Sequence, residues 1–148
     1  MARKIETLYS RALTQRDMDK YFEVVNILEI SHRATFNNLY DEIKNVKDTI
    51  ASFSGNQVVG GLIGSRLNSG IYFVRFLGVD PRFEKNGVGT LTLNRAENFS
   101  REIDFDRIAF ETHFRNVEWY QRRGYARFDE FQSLRSNDNR VILSKELV

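Results

Sequence analysis

The chain has 148 residues, enough for one ordinary domain and too few for two comfortable ones; 41% hydrophobic and 28% charged residues give the balance of a soluble globular protein. The absence of cysteine excludes a disulfide framework, a thiolate nucleophile and a zinc–thiolate centre. A formal net charge of +2, with basic and acidic residues interleaved, gives no footprint for nucleic acid, and no run of eighteen apolar residues exists to span a membrane. The opening stretch Met1-Ala2-Arg3-Lys4-Ile5-Glu6 has no apolar core, so no secretory signal is expected and a cytoplasmic location is.

Ile5 to Leu13 alternates as a first strand. Thr14 then reads as an N-cap with an acid, Asp17, three residues on, and Met18, Phe22, Val25 and Leu28 recur near helical spacing. A second helix is expected over Ala34 to Val46, with Phe36, Leu39, Ile43 and Val46 on one side. Thr49 to Ser54 and Gln57 to Arg66 pair as a hairpin around Gly55-Asn56. Gly60, Gly61 and Gly64 lie inside its second strand, where glycine signals a bulge or the close approach of another group. Asn68-Ser69-Gly70 turns the chain into Ile71 to Val79, rich in aromatic and β-branched residues, so three strands form an antiparallel meander.

Pro81 ends that strand, because it has no N–H for a sheet ladder. A polar turn, Arg82 to Asn86, leads through Gly87-Val88-Gly89-Thr90 into a helix running to about Arg101, with Val88, Leu91, Ala96 and Phe99 placed to face the sheet. Arg107 to His113 alternates as a strand, with Ile108, Phe110 and Thr112 on one face. Val117 to Arg122 forms a short helix that Gly124 ends, and Tyr125 to Leu134 pairs with Arg140 to Leu147 around Ser136 to Asn139. No internal repeat, low-complexity tract or linker interrupts this order.

A glycine-rich turn between a strand and a helix start is a device for holding anions. Glycine lets a ligand approach the backbone, the first-turn N–H groups have no partner inside the helix, and the dipole places partial positive charge there. Arg82 and Lys85 suit phosphate. Gly87-Val88-Gly89 is not a dinucleotide fingerprint, since Thr92 stands where the third glycine belongs, and no Gly-Lys-Ser/Thr follows to make a Walker loop. Taken alone, such a glycine pair is more often a plain punctuation mark.

At these residues the sequence resembles the GNAT superfamily of acetyl-CoA-dependent N-acetyltransferases, through Val79-Asp80-Pro81 at a strand end and Gly87-Val88-Gly89 at the family's spacing. A second, independent stretch, Trp119-Tyr120-Gln121-Arg122-Arg123-Gly124-Tyr125, matches the family's aromatic, Tyr, three spacers, Gly and aromatic, in the expected order. The resemblance implies one α/β (α+β) domain over residues 1–148, with a mixed, mostly antiparallel central sheet of about 6–7 strands flanked by about 4 helices. It implies that backbone N–H groups of Glu84, Lys85, Asn86, Gly87, Val88, Gly89 and Thr90 cradle the pyrophosphate of acetyl-CoA. It also implies that the strand edge at Leu77, Gly78 and Val79 pairs with the pantetheine arm. Glu84 departs from the family's Arg or Gln; an acidic side chain cannot neutralise pyrophosphate, and Lys85 is the substitute.

In this chemistry an amine attacks a thioester carbonyl. A backbone N–H near Val79 can stabilise the oxygen's charge, and the leaving thiolate needs a proton or a hydrogen bond. The resemblance gives that donor role to Tyr120; by composition alone, Tyr120 reads as a core tyrosine at a helix end. The family often carries Asn seven residues before the Tyr, where this chain has His113. Asn116, four residues before, is the preferred cofactor contact and His113 the other. An amine of pKa about 10.4 must also lose a proton. Glu111 is the first candidate base, unless its side chain turns away to pair with an arginine; Glu29, His32 and a water chain are the others. No His/Asp/Glu spacing suggests a metal, so none is expected.

The acceptor is a primary amine of a small molecule, an amino acid, or a peptide or protein. The alternatives are a GNAT-like acyl-CoA-binding or interaction domain with little catalysis, which Glu84 keeps open, and an unrelated α/β interaction domain with structural glycines. Last strands that pair across subunits in the family make a homodimer an expectation.

Overall fold

The structure, a computed structural model, describes residues 7–32, 48–128 and 139–147. The described elements are β1 (Leu8–Ala12), a 3-10 turn (Gln15–Asp17), α1 (Met18–His32), β2 (Thr49–Ser54), β3 (Gln57–Leu67), β4 (Ile71–Val79), a second 3-10 turn (Pro81–Phe83), α2 (Val88–Glu102), β5 (Arg107–His113), a third (Phe114–Asn116), α3 (Val117–Gln121), β6 (Ala126–Arg127) and β7 (Arg140–Glu146). The strands form one seven-stranded sheet in the order β1-β2-β3-β4-β5-β7-β6. The pairing is antiparallel for β1–β2, β2–β3, β5–β7 and β6–β7 and parallel for β4–β5. This is the mixed, mostly antiparallel sheet the sequence implies. Three α-helices fall among the described residues; the helix expected over Ala34 to Val46 lies outside them, as does the strand expected beyond Phe128.

The chain divides into two compact units, Met1–Gly64 with Phe76–Phe99, and Ser65–Arg75 with Ser100–Val148. In the first, Thr14 caps the start of the α1 region. Its hydroxyl accepts from Arg16 N–H at 3.3 Å, and the Asp17 carboxylate accepts from Thr14 N–H at 2.8 Å, closing a capping box. Arg11 grips Asp17 with two bonds of 2.9 and 3.0 Å and holds its carboxyl well below the usual range. The buried stripe of α1 is Tyr21, Val24, Val25, Ile27 and Leu28. It packs with Leu13, Ala51, Phe53, Val58, Ile63 and Phe76. Met18 and Phe22, expected on that stripe, are instead 43% and 46% exposed. The i, i+3, i+4 series that wins starts at Tyr21, one position before Phe22.

β3 reads as a continuous buried run because helices cover both of its faces. Its two central glycines show how closely. A Cβ on Gly60 would lie 2.6 Å from Val88 Cγ1 of α2, and one on Gly61 would lie 2.6 Å from Val24 Cγ1 of α1. Adjacent strand residues point to opposite faces, so each glycine admits one helix. The register slips beside them: Ser52 pairs with Gly60 but Phe53 with Val58, which leaves Val59 as the extra residue of a bulge. Both meanings of the glycine cluster are thus realised. Gly78 on β4 repeats the device, its missing Cβ lying 3.0 Å from Ser31 Cβ and 3.1 Å from Leu28 Cδ2.

In the second unit β5 is central. It runs parallel to β4 from Ile71↔Arg107 to Val74↔Phe110, and antiparallel to β7 over its whole length. The core is Ile71, Tyr72, Val74, Ile108, Ala109, Phe110, Tyr125, Val141, Ile142 and Leu143. β6 closes on β7 through Ala126↔Ser144 and Arg127↔Leu143.

Gly61→Ala drives a methyl into Val24, a β-branched side chain locked at χ1 inside a helix. The expected loss is about 1–3 kcal/mol of stability, read as a lower urea midpoint with an unchanged m-value. A midpoint within error of the parent would show that α1 lies looser on β3 than these distances state.

Candidate active site

β4 ends on Asp80, whose amide donates to Val59 O at 2.8 Å. Its buried carboxylate accepts from Arg82 N–H at 2.9 Å, and from Arg82 Nε and Nη2 at 3.2 and 2.8 Å. Asp80 therefore caps the Pro81–Phe83 turn and folds Arg82 back onto itself. Of the two cations that suited phosphate from sequence, Arg82 is thus held in a bidentate pair, while Lys85 is exposed.

The backbone of the turn is tightly wound. Phe83, Glu84 and Asn86 donate to Asp80 O, Pro81 O and Phe83 O at 2.8, 3.4 and 3.3 Å. Asn86 Nδ2 adds a bond to Phe83 O at 3.2 Å. Lys85 and Gly87 take left-handed φ values of +69° and +80°, and the first bond into α2 runs from Leu91 N–H to Gly87 O at 3.0 Å. Among the described residues, the amides of Lys85, Gly87, Val88 and Gly89 take no backbone partner. They lie at the positive end of a fifteen-residue helix, and a Cβ on Gly87 would meet no atom within 4 Å, so the space beside Gly87 is open. The amides of Glu84 and Asn86, grouped with these by sequence, serve the turn itself.

The helix start is fixed from beneath. Val88 packs on Val59 and Phe83. Thr92 Oγ1 donates to Val88 O at 2.8 Å and lies 2.6 Å from Ser52 Oγ, tying the first turn of α2 to β2. On β4, Leu77 O lies 3.1 Å from His32 Nε2, and the His32 ring meets Phe76 edge-on at 5.9 Å. His32 thus rests on the strand stretch that sequence assigned to pantetheine, and Gly78 on the same stretch faces α1. Glu29, half-buried, lies one turn before it on α1.

The second cluster centres on β5 and α3. Tyr120 packs on Phe110, Trp119 and Tyr125, with ring centroids 4.2, 4.8 and 6.1 Å away. Two bonds end α3 as a Schellman motif: Tyr125 N–H to Tyr120 O at 3.2 Å and Gly124 N–H to Gln121 O at 3.0 Å, with Gly124 at φ +93°. That gives the Tyr-x-x-x-Gly-aromatic spacing its physical meaning. Gly124 makes the left-handed cap, and Tyr125 returns to pack on Phe110 at 4.9 Å beside Tyr120. Arg123 lies 3.5 Å above the Trp119 ring and donates to Trp119 O at 2.7 Å, bracing the outer side.

Burial pushes the Tyr120 phenol up to about 12, against opposing effects of Arg123 and of a hydrogen bond with Thr112. Thr112 was legible as a strand-face residue but not as part of a site; its only signal was its place two residues after Phe110 on one face. Glu111 sits on the other face of β5, with its carboxylate 3.7 Å from Arg140 Nε. Asn116 Nδ2 donates to Thr112 Oγ1 at 3.4 Å, whereas His113 Nδ1 accepts from Arg115 N–H at 3.2 Å and caps the Phe114–Asn116 turn. Among the described residues no group of three His, Asp or Glu is placed to hold a metal ion.

These two stretches can be set beside known proteins. The family model described as Acetyltransferase (GNAT) family matches residues 5–125. The chain belongs to the GNAT acetyltransferase family. Solved GNAT structures share its fold. An aminoglycoside 6'-N-acetyltransferase complexed with coenzyme A is 12% identical, covering 94% of this chain and 97% of its own, with a TM-score of 0.78. Ard1 from Thermoplasma volcanium is 16% identical, with coverage of 95% and 98% and a TM-score of 0.75. PaiA N-acetyltransferase from Thermoplasma acidophilum, in complex with coenzyme A, is 14% identical, with coverage of 95% and 99% and a TM-score of 0.71. A comparison with curated protein sequences finds no match.

Gly124→Ala forces a side chain into the left-handed region and its Cβ to 3.2 Å from Lys145 Cε. It is expected to cost about 1–2 kcal/mol, measured by thermal unfolding. An unchanged melting temperature would mean that the Schellman turn does not hold Tyr120.

Proposed function

We propose that the chain transfers the acetyl group of acetyl-CoA to a primary amine, the cosubstrate's pyrophosphate resting on the unspent amides of Lys85, Gly87, Val88 and Gly89. Those amides are the observation that carries the reading: four donors, open space beside Gly87, a helix dipole behind and a braced scaffold below. Side-chain charge for the grip comes from exposed Lys85, because Arg82 is paired with Asp80 and Glu84 is exposed with the wrong sign. Asn116, from the β5–α3 turn, is the contact assigned to the pantetheine arm, as are Leu77, Gly78 and Val79 on β4.

In the transfer the amine nitrogen bonds to the thioester carbon, the carbon–sulfur bond breaks with its electron pair on sulfur, and the nitrogen gives up a proton. Tyr120 supplies a hydrogen bond to the sulfur. Its pKa of about 12 lies well above the thiol value of about 8.5, so it stabilises the thiolate as a donor and stays protonated itself. Glu111 turns to the other face of β5 and pairs with Arg140, the alternative to a base role, so the amine proton passes to water. A homodimer through the last strands and a cytoplasmic location complete this reading, and light scattering tests the first.

Acetyl-CoA at a hundred times its Kd should stabilise the fold by about 2.7 kcal/mol. Glu84→Arg should tighten binding by roughly twofold to fivefold, the scale of one charge at a helix start. No thermal shift at millimolar acetyl-CoA would remove the reading altogether.

Tyr120→Phe should lower kcat by about a hundredfold while leaving the Kd of acetyl-CoA nearly unchanged. A phenol donates only while protonated, and this one is protonated at every pH below about 12, so no alkaline loss should appear up to pH 10. Glu111→Gln should leave the pH dependence of kcat/KM unchanged. A deficit at pH 7 that recovers toward the amine pKa of about 10.4, where the free amine forms unaided, would restore Glu111 as base.

A further inference from the structure

The chain holds two histidines, and they are attached in opposite senses. His113 Nδ1 accepts from Arg115 N–H at 3.2 Å, whereas His32 Nε2 lies 3.1 Å from Leu77 O. A carbonyl oxygen only accepts, so His32 Nε2 carries a hydrogen whether the ring is neutral or charged. While that bond stands, Nδ1 is the ring nitrogen that gains and loses a proton. The ring is also held in place. Phe76 meets it edge-on at 5.9 Å, and α1 comes so close to β4 that a Cβ on Gly78 would lie 3.1 Å from Ser31 Oγ.

The strand decides which edge His32 rests on. Asp80 N–H donates to Val59 O of β3 at 2.8 Å. Backbone groups alternate sides along a strand, so Val79 N–H and Leu77 O both point away from β3. They stand two residues apart, roughly 6.5 Å along β4. His32 therefore shares an edge with the amide near which the thioester oxygen is expected. The separation is one for water to bridge rather than for direct contact.

We propose that His32 takes up the proton of the attacking amine through water, at Nδ1, while Nε2–H stays on Leu77 O. This rests on the reading that Leu77 to Val79 holds the acyl-bearing arm of acetyl-CoA. As the nitrogen bonds to the thioester carbon, its proton moves to the bridging water and a proton of that water moves to Nδ1. The ring becomes imidazolium, and the electron pair of the broken carbon–sulfur bond stays on sulfur. The bond to Leu77 O favours this step, because a carbonyl holds the hydrogen of a charged ring more strongly than that of a neutral one. His32 is exposed, so the ring then returns its proton to solvent.

The protein with acetyl-CoA alone gives the first test. In a two-dimensional 1H–15N spectrum, with His32→Gln identifying the signal, the His32 ring should show the Nε2–H tautomer and should move when acetyl-CoA is added. An Nδ1–H tautomer, or a ring unmoved by saturating acetyl-CoA, would overturn the proposal. Kinetics give the second test, with primary alkylamines as acceptors and free CoA thiol as the readout. Gln presents an amide N–H where His32 has Nε2–H, so His32→Gln keeps a donor for Leu77 O and cannot accept a proton. It should lower kcat about a hundredfold and leave the Kd of acetyl-CoA within about twofold. His32→Ala should lose as much and recover in proportion to added imidazole. A His32→Gln enzyme with full kcat, or losses that imidazole does not lift, would reduce His32 to a prop for β4. The spectrum decides by itself should no alkylamine be accepted. A parent protein whose melting temperature ignores acetyl-CoA would instead overturn the reading beneath, and this proposal with it.

Discussion

The start of α2 can present its amides only because nothing stands between the helix and β3. Gly60 gives up its Cβ to Val88, and Val88 in turn packs on Val59 and Phe83. One residue further, Gly61 does the same for α1 through Val24. A single glycine would admit one helix; the adjacent pair, on opposite faces, admits two. The 2.6 Å contact between Ser52 and Thr92 then fixes the helix along its axis. A turn held this way has little freedom to lose when an anion arrives, so more of each amide's interaction appears as affinity.

The charges around that turn follow the same economy. Asp80 is buried and would be costly there if unpaired, so it takes three N–H bonds from Arg82. In doing so it shapes the turn and folds Arg82 back on it. Glu84 lies beyond this pair, exposed and with its amide closing the turn onto Pro81. What remains at the turn is exposed Lys85 and the helix dipole. Backbone dipoles need no rearrangement and no counterion, and they do not respond to pH. A site built on them tolerates an acidic side chain at its edge better than one built on paired arginines.

Much of this was legible in the sequence, for physical reasons. The strands Thr49 to Ser54, Ile71 to Val79 and Arg107 to His113 carry their own punctuation in Gly55, Gly70 and Pro81. The capping box at Thr14 and the cap at Gly124 are local, so spacing alone reveals them. What escaped depends on contacts distant in the chain or on the identity of the winning face. Met18 and Phe22 fit a helical stripe as well as Tyr21 and Val24 do, and only the position of β2 and β3 decides between them. The face of α2 that is buried includes Thr92, Glu97 and Ser100, which a search for apolar residues passes over. The folding back of Arg82 and the bond from Asn116 to Thr112 are side-chain geometry that no periodicity encodes.

α3 shows why the second motif is a unit rather than a set of separate residues. Five residues make barely more than one turn, far below the length at which a helix is stable by itself. Its position is imposed from outside. The Schellman turn at Gly124 returns the chain, Tyr125 and Phe110 enclose Tyr120 from the sheet side, and Arg123 on Trp119 closes the outside. The aromatic wall that fixes the phenol is also what raises its pKa, since burial among rings strips away the water that would stabilise a phenolate. Holding Tyr120 in place and keeping it protonated are therefore one physical act.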